Sequence, residues 1–273
     1  NPALILAKKY GNFINETPKK YTIGNSNNYY FSYMYNCLFD CKYCFLQGLY
    51  SSANYVIFLN YEDYFSHINN KIRSLNGKKS TFFSGYDCDS LVYDRNTMFI
   101  QSAIDFFSNF QNAELEIRTK STYLSPLLRK SKKNIIIASS FTTEKFSSKY
   151  EKGVPKLSKR LNFLKSVVNL GWKVGLRFDP FIVYEGCEKD YQKLFISLFK
   201  IIPQNQLHSV TYGNLRYPIS LYKNIEKNNI NDKLFSSLDR KSKLVEQDNK
   251  QFIEEFCIKN LSQYTYKDKI YSN

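Results

Sequence analysis

Six short runs rich in β-forming residues, separated by stretches with helical spacing, constrain this 273-residue chain more than any other feature. The runs are Tyr29 to Tyr35, Ser80 to Ser84, Glu114 to Thr119, Asn134 to Ser139, Lys173 to Asp179 and Leu207 to Tyr212. Between them, Tyr64, Phe65, Ile68, Ile72 and Leu75 recur at three- and four-residue intervals. So do Leu157, Leu161, Leu164 and Val168, and then Tyr191, Leu194, Phe195, Leu198 and Ile202. Asn60 is a candidate N-cap for the first helix, and Gly171 stops the second. Strand–helix alternation of this kind means a parallel sheet with covering helices. Six units are too few for a closed eight-stranded barrel and suit a partial (β/α)6 barrel of TIM type, an α/β fold. Its ligands gather at the C-terminal ends of the strands. The expected organisation is an N-terminal extension over 1–28, the partial barrel over 29–228 and a short C-terminal helical appendage over 229–273.

The loop after the first run carries Cys37, Cys41 and Cys44 in C-x3-C-x2-C spacing. Three thiolates on so short a loop can hold three corners of a [4Fe–4S] cluster, leaving one iron open to a small chelating molecule. Structural zinc instead wants four closed ligands, usually as two pairs. Here Cys88, Cys187 and Cys257 are scattered singly, and His67 and His208 are the only histidines. A disulfide framework belongs to small secreted domains, and three bunched cysteines cannot all pair locally. Zinc or redox-active thiols stay as the alternative to the cluster.

Lys and Arg outnumber Asp and Glu by 39 to 24, a formal net charge of +15, which makes DNA or RNA a candidate partner. The competing reading is a merely basic surface: the chain is rich in Lys, Asn, Ile, Tyr and Phe, as AT-rich coding favours, and its basic residues are spread out. No apolar run approaches membrane-spanning length, so no membrane partner is expected. Thiols used as cluster ligands point to the reducing cytoplasm. Nothing in the sequence specifies an oligomeric state.

The segment Cys41-Lys-Tyr-Cys44-Phe45-Leu46-Gln47 and the Gly-x-x-x-Gly-x-Arg-Phe-Asp-Pro run from Gly171 to Pro180 resemble the spore photoproduct lyase family of radical S-adenosylmethionine (SAM) enzymes. Cys88 to Leu91 with Asp94, Leu115 to Lys120, Lys156 to Arg160, Gly186 and Tyr191 support the likeness, which extends to about Tyr217. The resemblance implies that Cys37, Cys41 and Cys44 hold the cluster and that SAM chelates the open iron. The reduced cluster then cleaves SAM to a 5′-deoxyadenosyl radical, with electrons from an external donor such as flavodoxin or ferredoxin. Phe45 would lie beside the adenine. Ser84, Gly85, Lys120, Ser139 and Arg177, all at strand ends, would contact the rest of SAM.

A lyase of this family abstracts a hydrogen from a thymine dimer in DNA, and a cysteine near the end of strand two, helped by two tyrosines, returns one. Here the donor position falls at Tyr86, with Cys88 the nearest thiol. Tyr43 keeps one helper tyrosine, and Phe45 replaces the other. A buried, inert Cys88 is the competing reading. The lyases also carry a basic β-hairpin near the C-terminus. From Leu238 this chain instead runs into a helical pattern with Phe252, Phe256 and Leu261 on one face, so no hairpin is expected. The function expected is hydrogen-atom abstraction from a nucleic acid or nucleotide, in repair or modification. The alternatives are a radical SAM enzyme acting on a small molecule or peptide, and a basic nucleic-acid-binding module with a structural metal.

Overall fold

The computed structural model describes residues 2–18 and 21–273; of the extension expected over 1–28, residues 1, 19 and 20 lie outside the description. Six parallel strands follow one another in sheet order: β1 (Asn27–Phe31), β2 (Ser80–Ser84), β3 (Ala113–Thr119), β4 (Ile135–Ser140), β5 (Lys173–Phe181) and β6 (Leu207–Asn214). Asn15–Glu16 pairs antiparallel with β1, and Ile270–Ser272 pairs parallel with β6, which makes an eight-stranded sheet curled into a partial barrel. The last strand comes from the region expected as a helical appendage. Helices α1 (Tyr61–Ser74), α2 (Phe99–Phe107), α3 (Leu157–Asn169), α4 (Cys187–Phe199) and α5 (Lys250–Leu261) cover the outside. The β3–β4 connection has only the short 3-10 turn Ser125–Leu127, and Trp172 Nε1 donates to the Leu127 carbonyl there (3.0 Å).

Strand register sorts the two faces, because residues paired across a parallel ladder point the same way. Phe31, Ser84, Ile117, Ile137 and Val174 lie in one row on the helix side, where apolar burial holds the sheet to its helices. Phe83, Glu116 and Ile136 share the lumen face, as do Arg118, Ala138, Gly175 and Ser209 one level up, and Ser140, Arg177 and Thr211 above them. The lumen is polar at its centre. Arg177, fully buried, donates from Nε and Nη2 to the Glu116 carboxylate (3.0 and 2.6 Å). Its remaining donors reach the carbonyls of Leu176 and Ser209 and the Ser209 hydroxyl (3.0, 3.2 and 2.9 Å). A Cβ on Gly175 would stand 2.6 Å from Arg177 Nη2, so only glycine leaves the guanidinium its path across the lumen.

Three local expectations are corrected. The first strand ends at Phe31, and Met34–Tyr35 leaves the barrel to pair antiparallel with Tyr55–Phe58, which also pairs with Leu4–Ala7. Tyr33, between the two strands, anchors the break by donating to the Ser90 carbonyl (2.8 Å). Asn60 caps no helical N–H: its amide exchanges bonds with the Lys9 backbone and donates to Asp63. A hairpin does exist near the C-terminus. Asp239–Arg240 folds back antiparallel on Leu244–Glu246, which pairs with Arg216–Pro218. Its turn, Lys241 to Lys243, contains no glycine and is closed by a bond from the Lys241 amide to the Leu244 carbonyl (2.8 Å), so a glycine signal was the wrong one to seek.

Candidate cluster and barrel-mouth site

The cysteine loop leaves β1 and is laid across the C-terminal mouth of the sheet by contacts distant in sequence. Asp40–Cys41 pairs antiparallel with Glu151–Lys152, and the Lys42 amide donates to the Tyr150 carbonyl (2.9 Å). Tyr217 donates to the Tyr43 carbonyl (2.7 Å). The short helix Leu46–Leu49 lies against Ile219–Lys227 so closely that a Cβ on Gly48 would meet the Leu221 carbonyl oxygen at 2.2 Å. A second apolar cluster, containing Cys41, Tyr43, Phe146, Tyr217, Tyr222 and Val245, glues the loop to the hairpin region.

All three thiols of the loop are free. Burial pushes the Cys37 and Cys44 thiols up and Cys41 up to about 12, with Lys120 pulling Cys41 the other way. Three free thiols on one loop are the donor set that a cubic cluster takes, one thiolate for each of three separate irons.

Lys120, at the end of β3, is the centre of the site. Its Nζ donates to the Tyr43 phenol (2.8 Å), stands 3.3 Å from Glu151 Oε1 and reaches Cys41 Sγ at 3.9 Å. Burial alone would lower its pKa, but Cys41, Tyr43 and Glu151 together hold it well above the ordinary lysine value, so it is charged. Glu151 was not singled out from the sequence, where it lies in an unremarkable polar stretch. It also accepts from Tyr43, Thr142 (3.0 Å), Ser147 (2.6 Å) and Arg160 (2.9 Å). Burial opposes its ionisation, yet Lys120 and Arg160 hold its carboxyl at about 2. Asp89 is a second residue missed: it accepts from the Leu91, Val92 and Lys120 amides and from Thr119 Oγ1, tying the loop after β2 to the end of β3.

The residues expected at the strand ends divide. Gly85 turns the chain at φ +80°, and a Cβ there would strike Ser90 Oγ at 2.4 Å, so glycine is required. Ser84 Oγ pairs with Ser90 Oγ (2.9 Å) and donates to the Glu116 carbonyl (3.0 Å), on the helix-side row. Ser139 is buried, its hydroxyl has no partner among the described residues, and it is in register with Thr119 and Leu176, whereas Ser140 is level with Arg177 on the lumen face. Arg177, expected to contact the cofactor, has all five of its N–H donors engaged inside the barrel. Tyr86 sits in the mouth, 36% exposed, stacked on Tyr30 (4.1 Å) with Phe45 5.6 Å away. Cys88 is buried beneath the cysteine loop, where its thiol meets the Met34 backbone and burial and Cys37 push its pKa well up. Cys187 and Cys257 are buried in the apolar core.

Three comparisons with known proteins agree. A family model described as spore photoproduct lyase matches residues 14–269. The spore photoproduct lyase of Bacillus subtilis (strain 168) is 25% identical over 194 residues, 70% of this chain and 57% of that protein, so the chain spans little more than half of that relative's length. The Clostridium acetobutylicum lyase is 24% identical over 257 residues, 90% of this chain and 76% of that protein. Among solved structures, a cysteine-to-serine mutant of spore photoproduct lyase superposes with a TM-score of 0.81 at 18% identity, covering 98% of this chain and 81% of that one. A mutant lyase with bound AdoMet and dinucleoside spore photoproduct gives 0.77 at 19% identity, over 89% and 75% of the two chains. At these identities the structural likenesses establish a common fold.

Proposed function

This chain belongs to the spore photoproduct lyase family, and we propose that it is a radical SAM enzyme acting on a nucleic acid, with a thymine photoproduct in DNA as the first substrate to test. The observation that carries the reading is the loop of three free thiols laid over the strand ends, with a half-buried, charged lysine against one of them. Cys37, Cys41 and Cys44 would hold the [4Fe–4S] cluster, and Lys120, Gly85 and Phe45 would receive SAM. When bound, the pair supplies abstraction of a hydrogen atom from an unactivated carbon, using an electron from an external donor.

The chain's own residues then have separable tasks. Glu151 and Arg160 orient Lys120 and Tyr43, so that the ammonium faces Cys41 and the phenol is fixed in the apolar wall. Return of a hydrogen to the substrate falls to Tyr86 rather than Cys88. The phenol O–H breaks, a substrate C–H forms and the unpaired electron passes to the ring. Cys88 is closed off under the loop, while Tyr86 opens on the mouth. The hairpin carries Arg240, Lys241 and Lys243; Arg240 pairs with Glu226, and Lys241 with Glu246 and Asp248, so a phosphate there would have to exchange with those carboxylates.

The test is anaerobic reconstitution with iron and sulfide, reduction, and incubation with SAM and an oligonucleotide carrying spore photoproduct. Cluster assembly, 5′-deoxyadenosine and restored thymines are expected. Deoxyadenosine without repair would move the search to other substrates. A chain that assembles no cluster would overturn the reading of the three cysteines.

A further inference from the structure

The N-terminal ends of the strands form the floor of the barrel, opposite the cysteine loop, and they gather cations that the sequence keeps apart. Lys78 and Lys79 lead into β2, Lys130, Lys132 and Lys133 lead into β4, and Lys173 opens β5. Register brings these starts together. The Ser80 amide donates to the Asn112 carbonyl (3.0 Å), the Asn134 side-chain amide donates to the Ala113 carbonyl (2.9 Å), and Lys173 is level with Ile136. With neighbouring strands about 4.8 Å apart, the lysines before β2 and those before β4 are anchored about 10 Å from one another. The first five lysines are exposed, and among the described residues none of them forms an ion pair. Two carboxylates at this end are taken by other partners: Asp105 pairs with Arg129 (2.6 Å), and Glu114 accepts from Asn25 (3.1 Å) and stands 3.6 Å from His208.

Helix electrostatics explain only part of this charge. Lys71 and Arg73 sit in the last turn of α1, where cations answer the negative end of the helix dipole, and Lys78 and Lys79 follow closely. The lysines before β4 follow no helix, only the 3-10 turn Ser125–Leu127. Their loop is nonetheless firmly built. The Arg129 amide donates to the Leu127 carbonyl (2.8 Å) and the Ile135 amide to the Lys132 carbonyl (3.2 Å), while the Asn134 side chain also reaches the carbonyls of Phe107 and Phe110 (2.8 and 3.0 Å). A fixed backbone presents these lysines, so a partner has only side chains left to order. Five like charges within about 10 Å, close to the Debye length of about 8 Å at physiological salt, repel one another in the free protein. One small anion cannot answer them all, whereas a DNA duplex carries a negative charge for about every 1.7 Å of its axis. We infer that this floor rim is a nucleic-acid contact surface separate from the mouth, binding the phosphodiester backbone of a duplex without reading its sequence. The length of β3 puts the rim about 20 Å from the cysteine loop, so it holds a stretch of duplex other than the nucleotides that enter the mouth. An acidic electron-donor protein seated here would face the end of the sheet away from the cluster loop. The inference rests on the proposed function only for the class of partner.

The experiment titrates the full chain, with its cluster reconstituted and no reductant, with a short, undamaged, fluorescently labelled duplex at several salt concentrations. The triple variant Lys130→Gln/Lys132→Gln/Lys133→Gln should bind about tenfold more weakly at low salt, with the salt dependence flattened by about 2–3, roughly 0.9 per lost phosphate contact. Adding Lys78→Gln and Lys79→Gln should flatten it further. Melting temperature and SAM affinity should stay at wild-type values, because the five side chains are exposed and lie away from the mouth. The control Lys189→Gln/Lys193→Gln/Lys259→Gln removes the same charge from exposed positions on α4 and α5 and should leave the salt dependence nearly unchanged. An equal loss in the control, or an unchanged slope in the rim variants, would overturn the proposal. So would rim variants that lose affinity for polyglutamate while keeping their affinity for duplex, which would assign the rim to an acidic protein. Rim-dependent duplex binding in a protein that cannot restore thymines would support this surface and count against the proposed substrate alone.

Discussion

Arg177 and Glu116 provide the sharpest test of how this barrel is held together. Both are buried, joined by two parallel bonds of 3.0 and 2.6 Å, and the guanidinium has no donor left for any ligand. Glu116→Ala removes the carboxylate partner of Arg177 and strands a charge in the lumen. Breaking one side of a buried pair costs about 3–5 kcal/mol, most of it the penalty on the abandoned partner. The double variant Glu116→Ala/Arg177→Met removes that penalty, since a neutral, flexible side chain fills the same lumen, and should recover most of the loss. Burial raises the Glu116 pKa, but Arg177 outweighs it and holds the carboxyl below its ordinary value. The pair's stabilisation is therefore complete above the unfolded glutamate value near 4.5 and is lost as pH falls through the lower folded value. Denaturant melts of wild type, both single variants and the double, at neutral and acidic pH, measure this directly. SAM affinity in the double variant should equal that of wild type, because Arg177 is not in the mouth. A Glu116→Ala cost below about 1 kcal/mol, or a double variant no more stable than the single, would refute the reasoning.

Further outcomes are expected elsewhere. Alanine at any one of Cys37, Cys41 or Cys44 should cut iron content and the absorbance of the reconstituted protein, whereas Cys88→Ala should leave both unchanged. Gly85→Ala places a Cβ 2.4 Å from Ser90 Oγ on a backbone at φ +80° and should cost about 1–3 kcal/mol in a melt. Glu151→Gln keeps the shape but removes the negative charge that faces Lys120 and Arg160, so it should change the electron paramagnetic resonance spectrum of the reduced cluster. A spectrum identical to wild type would reduce Glu151 to packing. Replacing Arg240, Lys241 and Lys243 by Gln should weaken duplex binding and flatten its dependence on salt by roughly 0.9 per lost phosphate contact.

The strand–helix alternation and the cysteine spacing could be read before any coordinates because both are local. Period-3.6 and β-rich runs report which face will be buried, and C-x3-C-x2-C reports that three thiols share one loop. Gly171, at φ +80° just past α3, was legible for the same reason: the chain stop is written in one residue. What failed depended on partners distant in sequence. Asn60 has the right chemistry for a cap, but the backbone of Lys9, 51 positions away, claims its amide. The hairpin at 239–246 has no glycine, and its register is set by Arg216–Pro218 rather than by its own turn.

By itself, the sequence determined the partial barrel, the thiol loop and the family they share. Only the tertiary structure decided which polar side chains belong to the site. It pairs Arg177 with Glu116, 61 positions away, and Tyr43 with Glu151, 108 positions away. It also sends Cys88 into the core and leaves Tyr86 exposed at the mouth. The reason is physical: a charged or hydroxyl side chain carries the same donors and acceptors wherever it lies in the chain. Whether those groups brace the fold or remain open to a ligand depends on which partners the curled sheet brings within about 3 Å.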